Sequence, residues 1–156
     1  MQVLEDLFGN YILVSAAIAW ALAQITKVFT NLFSAKKFQI KMMFSNGGMP
    51  SSHSSTVVAL CTACAIRDGF ASTGFAVSLI LAMIVMNDAF GVRYEAGKHA
   101  KIINRIAEEL FSGDPTLVNS SLKELVGHTP FQVFIGALLG VVVAIVYALI
   151  IGEIPV

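Results

Sequence analysis

Four apolar stretches divide the chain, and the polar residues between them collect into two long segments and one short turn. Residues 11–33 form the first, interrupted by Gln24 and Lys27 near its end, and exceed the roughly 20 residues a bilayer-crossing helix requires. Residues 54–66 form the second. That stretch is short for a span, so its start is either recessed into the protein or continued by the turn from Pro50 to His53. Residues 71–86, ending at Asn87-Asp88, and residues 131–151 complete the set. Between the last two, residues 94–111 read as an amphipathic helix: His99, Ile102, Ile103, Ile106 and Leu110 share one face, while Lys98, Lys101, Arg105, Glu108 and Glu109 lie largely elsewhere. The pattern predicts an all-α protein, a polytopic membrane helix bundle of about four transmembrane spans plus an amphipathic cytoplasmic helix, in a single domain over residues 1–156.

Composition places the same pattern in lipid. The chain is 56% hydrophobic and only 13% charged, with a mean hydropathy of +0.78, too apolar for an ordinary soluble domain. Its formal net charge of zero argues against nucleic acid as a partner, since binding phosphate backbones needs concentrated Lys and Arg. Glu5 and Asp6 precede the first apolar run with no basic stretch, which does not read as a cleavable signal peptide. Every Lys and Arg except Arg67 lies at the end of the first span or in the loops after spans one and three: Lys27, Lys36, Lys37, Lys41, Arg93, Lys98, Lys101, Arg105 and Lys123. The positive-inside rule makes those loops cytoplasmic and puts both termini outside, so a multi-pass protein of the plasma membrane is expected. Cys61 and Cys64 sit inside an apolar helix and read as two small buried residues. Gly136 and Gly140 make a G-x-x-x-G pair that favours close helix packing, within the subunit or between copies of a homo-oligomer.

Candidate chemistry concentrates in two of the polar segments. In Gly47-Gly48-Met49-Pro50-Ser51-Ser52-His53-Ser54 a glycine turn runs into the start of a helix. Glycine lets backbone approach a ligand closely, and the open N–H groups and dipole of a helix start favour an anion. Ser51 and Ser52 are good N-cap residues, with His53 in the first turn. Lys41 suits a flexible phosphate clamp, although Lys36, Lys37 and Lys41 together equally suit an anionic-lipid patch. The second segment, Asn87 to His99, carries Asp88, Arg93, Glu95 and His99. Asp88 at the end of an apolar span calls for an ion pair, with Arg93 or Lys27. Glu95 is four residues before His99 and can reach it along a helix. His128, in Gly127-His128-Thr129-Pro130, reads first as part of a capped helix start, with an approach to the site from a third side as the alternative.

Together these segments resemble the type 2 phosphatidic acid phosphatase family, whose relatives include vanadium-dependent haloperoxidases. That family carries P-S-G-H and, further on, S-R-x5-H-x3-D; here the first reads Pro50-Ser51-Ser52-His53 and the second matches at Arg93 and His99. Gly47 to Pro50, Asp88-Ala89, Gly91-Val92-Arg93 and Gly127 to Pro130 look more specifically like the family's small divergent branch. There are departures. No K-x6-R-P segment lies upstream, Val92 replaces the serine before the arginine, and Ile103 stands where the family has the aspartate that orients its nucleophilic histidine.

The resemblance implies a membrane lipid-phosphate phosphatase that needs neither metal nor cofactor. His99 would attack phosphorus to give a phosphohistidine, His53 would protonate the leaving oxygen, and Arg93 would grip phosphate oxygens, helped by Gly48, Ser51, Ser52 and Lys41. Asp88, Glu95 and Lys27 would support them, with Asp88 or Glu95 supplying the carboxylate that Ile103 cannot. The substrate would be a phosphomonoester or diphosphate of a phospholipid or isoprenyl lipid. The competing expectation is a non-catalytic phospholipid-binding or lipid-translocating protein that retains a phosphate cradle.

Overall fold

The computed structural model describes residues 1–35, 48–110 and 127–153, and every regular element among them is a helix. In chain order these are α1 (Gln2–Phe8), α2 (Tyr11–Ala35), α3 (Ser52–Asp68), α4 (Thr73–Phe90), α5 (Val92–Leu110) and α6 (Pro130–Ile151). Their starts are set by short polar side chains that satisfy first-turn amides. The Asn10 side-chain oxygen accepts from the amides of Ile12 and Leu13 at 3.1 and 3.2 Å, Ser51 caps α3, and Ser72 caps α4. At α6 Thr129 and Gln132 close a reciprocal capping box with Pro130 in the first turn.

Three segments are long and apolar enough to cross a membrane: Tyr11–Asn31, Thr73–Leu110 and Pro130–Ile151. The second joins α4 to α5. Against the expectation of four spans, α3 falls short, because its 17 residues rise only about 25 Å. Its position explains how a short helix is accommodated. α3 packs against α2, α4 and α6, with Ala59 and Ala63 fully buried, so its neighbours screen it from lipid. Its start is recessed, with Ser51 and Ser52 both buried.

The distribution of side chains is that of a bundle facing hydrocarbon. Large apolar residues point outward, among them Trp20, Phe29, Ile80, Ile84, Phe134 and Leu138, whereas the interior is dominated by small residues, Ala, Ser and Gly, with a few Val and Tyr11 among them. Lipid removes the hydrophobic reason to bury large side chains, so close backbone approach holds such helices together. Gly136 and Gly140 provide it: a Cβ on Gly136 would overlap the Ser51 carbonyl oxygen, and one on Gly140 the Ser55 carbonyl oxygen. The G-x-x-x-G face therefore packs within the chain, on the first turns of α3. Interior hydroxyls bond backbone, as Ser55 Oγ does to Ala19 O at 3.1 Å and Tyr11 OH to Ala144 O at 3.0 Å.

The helices alternate in direction, which brings the end of α2, the start of α3, the end of α4 and the start of α6 to one end of the bundle. Thr30 Oγ1 donates to Met49 O at 2.6 Å, Ser51 N to Gln132 O at 3.1 Å, and His128 N to Ala89 O at 3.1 Å. Among the helices α5 packs on α4 alone. Its stripe of Ile102, Ile103, Ile106 and Leu110 is exposed, as suits a helix lying at a membrane interface.

Candidate phosphate site at the start of α3

Ser51 sits at the N-cap of α3 and is completely buried. Its Oγ accepts from the Ser54 amide at 3.4 Å and from Ser54 Oγ at 3.0 Å. The amides of Ser52 and His53 occupy first-turn positions, which helix geometry leaves without intrahelical acceptors. Gly48 precedes them with a positive φ of 94°, and the Met49–Pro50 peptide is cis.

Lys27 reaches this helix start from α2. Its side chain is 1% exposed, and Nζ donates to Ser52 Oγ at 3.1 Å. A buried ammonium is costly unless its surroundings compensate it. Here it lies where the dipole of α3 already favours an anion, so the site concentrates positive potential at a point removed from water.

His53 is half-buried in the first turn of α3, and the His128 ring stands against it, centroids 6.0 Å apart and planes inclined by 77°. His128 is 1% exposed. The segment carrying it is clamped: a Cβ on Gly127 would collide with the Tyr94 backbone, His128 N is tied to Ala89 O, and Thr129 opens α6. Burial, with the neighbouring positive charges of Lys27, His53 and Arg93, pushes the His128 imidazole down to about 4. It is neutral at physiological pH.

Arg93 Nε donates to Asp88 Oδ2, joining the end of α4 to the start of α5. Both side chains are partly exposed, at 51% and 38%, so the guanidinium keeps donors for another oxyanion. Of the two pairings the sequence offered Asp88, the one with Arg93 is seen. Glu95 pairs with Lys98 at 2.8 Å, and that ammonium also lies 4.5 Å from the Tyr94 ring centroid.

The structure therefore brings Lys27, Ser51, Ser52, His53 and His128 together, with the Asp88–Arg93 pair at the adjoining helix ends. It does not bring His99 among them. His99 is exposed on α5, about 9 Å of helix rise beyond Arg93. It makes no hydrogen bond or ion pair among the described residues, and Asp88 and Glu95 are engaged with Arg93 and Lys98. Lys41, Lys36 and Lys37 lie outside the described residues, as does Gly47. Of the two readings the sequence offers for His128, a helix start and an approach to the site, both hold: it precedes α6 and its ring lies buried against His53; nothing local to the Gly127–Pro130 segment tells that the ring turns inward. Among the described residues no three His, Cys, Asp or Glu side chains are grouped to hold a metal ion, and Cys61 and Cys64 are free and buried.

Comparison with known proteins agrees with the resemblance. Residues 8–143 match the divergent PAP2 family. The chain is 39% identical over 153 residues to the uncharacterized membrane protein YuiD of Bacillus subtilis (strain 168), an alignment covering 92% of this chain and 97% of that protein. No solved structure matches the chain.

Proposed function

The chain belongs to the divergent PAP2 family, and on that premise we propose that it is a lipid-phosphate phosphatase acting at the level of the membrane headgroups. The observation that carries this reading is Lys27, buried in a membrane bundle and delivered onto Ser52 at the start of α3. A cation, a helix N-terminus and hydroxyls converging in a low-dielectric site are the elements that stabilise a phosphoryl group as its charge redistributes. Arg93 adds a planar two-pronged grip, and Asp88 holds that grip in place. His53 serves as the general acid that protonates the leaving oxygen. The phosphoryl group passes through a histidine, a role the family pattern gives to His99.

Phosphatidate, phosphatidylglycerophosphate and isoprenyl phosphates or diphosphates share the required chemistry, a phosphate beside an acyl or prenyl tail. The basic character of the loops supports a site on the cytoplasmic face, and the reading takes the membrane to be the plasma membrane. A cysteine at position 98, in a protein lacking Cys61 and Cys64, should be labelled from that side; labelling only from outside would reverse the orientation. The decisive test is phosphate release from a panel of these lipids by purified protein checked for contaminating phosphatases. Turnover is expected with at least one class. The exposed position of His99 favours a second reading, a phospholipid-binding or translocating protein, which predicts lipid binding lost on removing Arg93 and no hydrolysis by wild type.

A further inference from the structure

We infer that the phosphoryl acceptor of this site is His128, through Nε2. The inference rests on the phosphatase reading above. A histidine that attacks phosphorus needs a neutral ring, a nitrogen not engaged by another group, a place beside the anion cradle, and a general acid close by. His128 meets each requirement. Its Nε2 is buried with no hydrogen-bond partner, a state a folded interior rarely tolerates, because a buried polar atom loses its water and gains nothing in return. A phosphoryl group seated at the start of α3 would give that nitrogen its missing partner.

The placement is held from three sides. The His128 amide is bonded to Ala89 O at the end of α4, the Gly127 backbone lies against Tyr94 of α5, and the Thr129–Gln132 capping box fixes the start of α6. The ring meets His53 edge to face at 6.0 Å, short enough for both imidazoles to contact substituents on one phosphorus. Burial, aided by the charges of Lys27, His53 and Arg93, holds the ring neutral, and the Lys27 and Arg93 charges offset those of a bound phosphate. His99 is exposed on α5, whose one helical neighbour among the described residues is α4, and it has no comparable anchoring beside His53.

The step balances within the site. With its proton on Nδ1, His128 offers the Nε2 lone pair to phosphorus; the P–O bond to the lipid breaks, its electron pair leaves with the lipid oxygen, and protonated His53 gives that oxygen a proton. Water then attacks the phosphohistidine, the P–N bond breaks, inorganic phosphate departs, and His53 recovers its proton from the water.

The test is rapid mixing of the full-length protein in liposomes with lipid labelled in its phosphate, for each member of the lipid panel, followed by an alkaline quench that preserves phosphohistidine and peptide mapping of the trapped label. Label on the peptide containing His128 is expected. His128→Asn should lose both label and turnover, by roughly 10³-fold or more, while still binding the labelled lipid. His128→Gln, with melting curves for both variants, separates loss of chemistry from loss of fold. Label on His99 or His53, or turnover by a folded His128 variant within tenfold of wild type, overturns the inference and spares the phosphatase reading. A wild type that hydrolyses no lipid in the panel overturns both.

Discussion

The two ends of α3 solve opposite problems. At its C-terminal end Arg67 and Glu153 pair at 3.6 Å, with side chains 40% and 27% exposed. An open cavity of about 410 Å³ there is lined by Glu5, Asp6, Asn10, Arg67 and Asp68. Charges at that end meet water, and their arrangement needs no further cause. At the N-terminal end Lys27, Ser51, Ser52, Ser54 and His128 are buried together, where desolvation opposes them. One helix thus separates polar groups that solvent can satisfy from polar groups that bond one another out of water, beside a ring nitrogen, His128 Nε2, that has no partner. An anion docking at the buried end is the economical explanation, and each experiment below removes one reason for the contrast.

Of the substitutions that probe this contrast, Lys27→Met should have the largest effect. The substitution keeps an unbranched apolar stem and deletes the buried cation, so phosphate hydrolysis should fall about 10²- to 10³-fold, the usual cost of losing one preorganised electrostatic group. The substitution also removes the hydrogen bond to Ser52 Oγ, so a loss of stability is the control that separates damage to the fold from loss of the cation. Activity assays and melting curves on the same preparation would decide it. Wild-type turnover in Lys27→Met would remove the cation from the site.

Acid should come next. The folded His128 lies near 4, below the 6.5 or so of an exposed imidazole, so the fold favours the neutral ring. Its contribution is fully present above about 6.5 and is lost as the pH falls toward 4, with an upper bound of about 3 kcal/mol from linkage. Unfolding measured between pH 7 and 4 should show that decline, and His128→Asn should flatten it. Equal declines in both proteins would show that the titrating group is elsewhere.

Gly136→Ala tests how the buried end is held. A methyl there meets the Ser51 carbonyl, and neither backbone can yield without moving the start of α3. A loss of about 1–3 kcal/mol is expected, with turnover falling as the first turn of α3 is displaced. A fully stable and active Gly136→Ala protein would mean that the α3–α6 approach is looser than the structure has it.

Most of the architecture is legible in the chain because the forces that build it are local. Long apolar runs mark α2, α4 and α6, and Ser51 and Thr129 announce where α3 and α6 begin. The shortness of α3 was also visible; its central position was not, because only the packing of three other helices on its Ala and Ser face makes a 17-residue helix serviceable. Within the site, Lys27, Ser51, Ser52, His53 and Arg93 could be named from spacing and motif. His128 could be offered there only as an alternative to a helix start, since its burial depends on α4 and α5 closing over Gly127, a long-range event with no periodic signature. The placing of His99 shows the converse: shared helical spacing with Ile102, Ile103 and Ile106 marks a face, but says nothing of what that face meets.

Arg67→Gln should have the smallest effect and is the control for the other end of α3. It removes the guanidinium from a pair with Glu153 whose side chains are both partly exposed, and such pairs contribute a median of about 0–1 kcal/mol because solvent screens them and ordering two long side chains costs entropy. Melting should shift by no more than that amount, with lipid-phosphate turnover unchanged, since Arg67 stands at the opposite end of α3 from Ser51. The comparison sharpens if salt narrows the remaining difference, as screening of an exposed pair requires. A loss of turnover in Arg67→Gln comparable to that in Lys27→Met would mean that the two ends of α3 are coupled, and the division of labour along the helix would have to be abandoned.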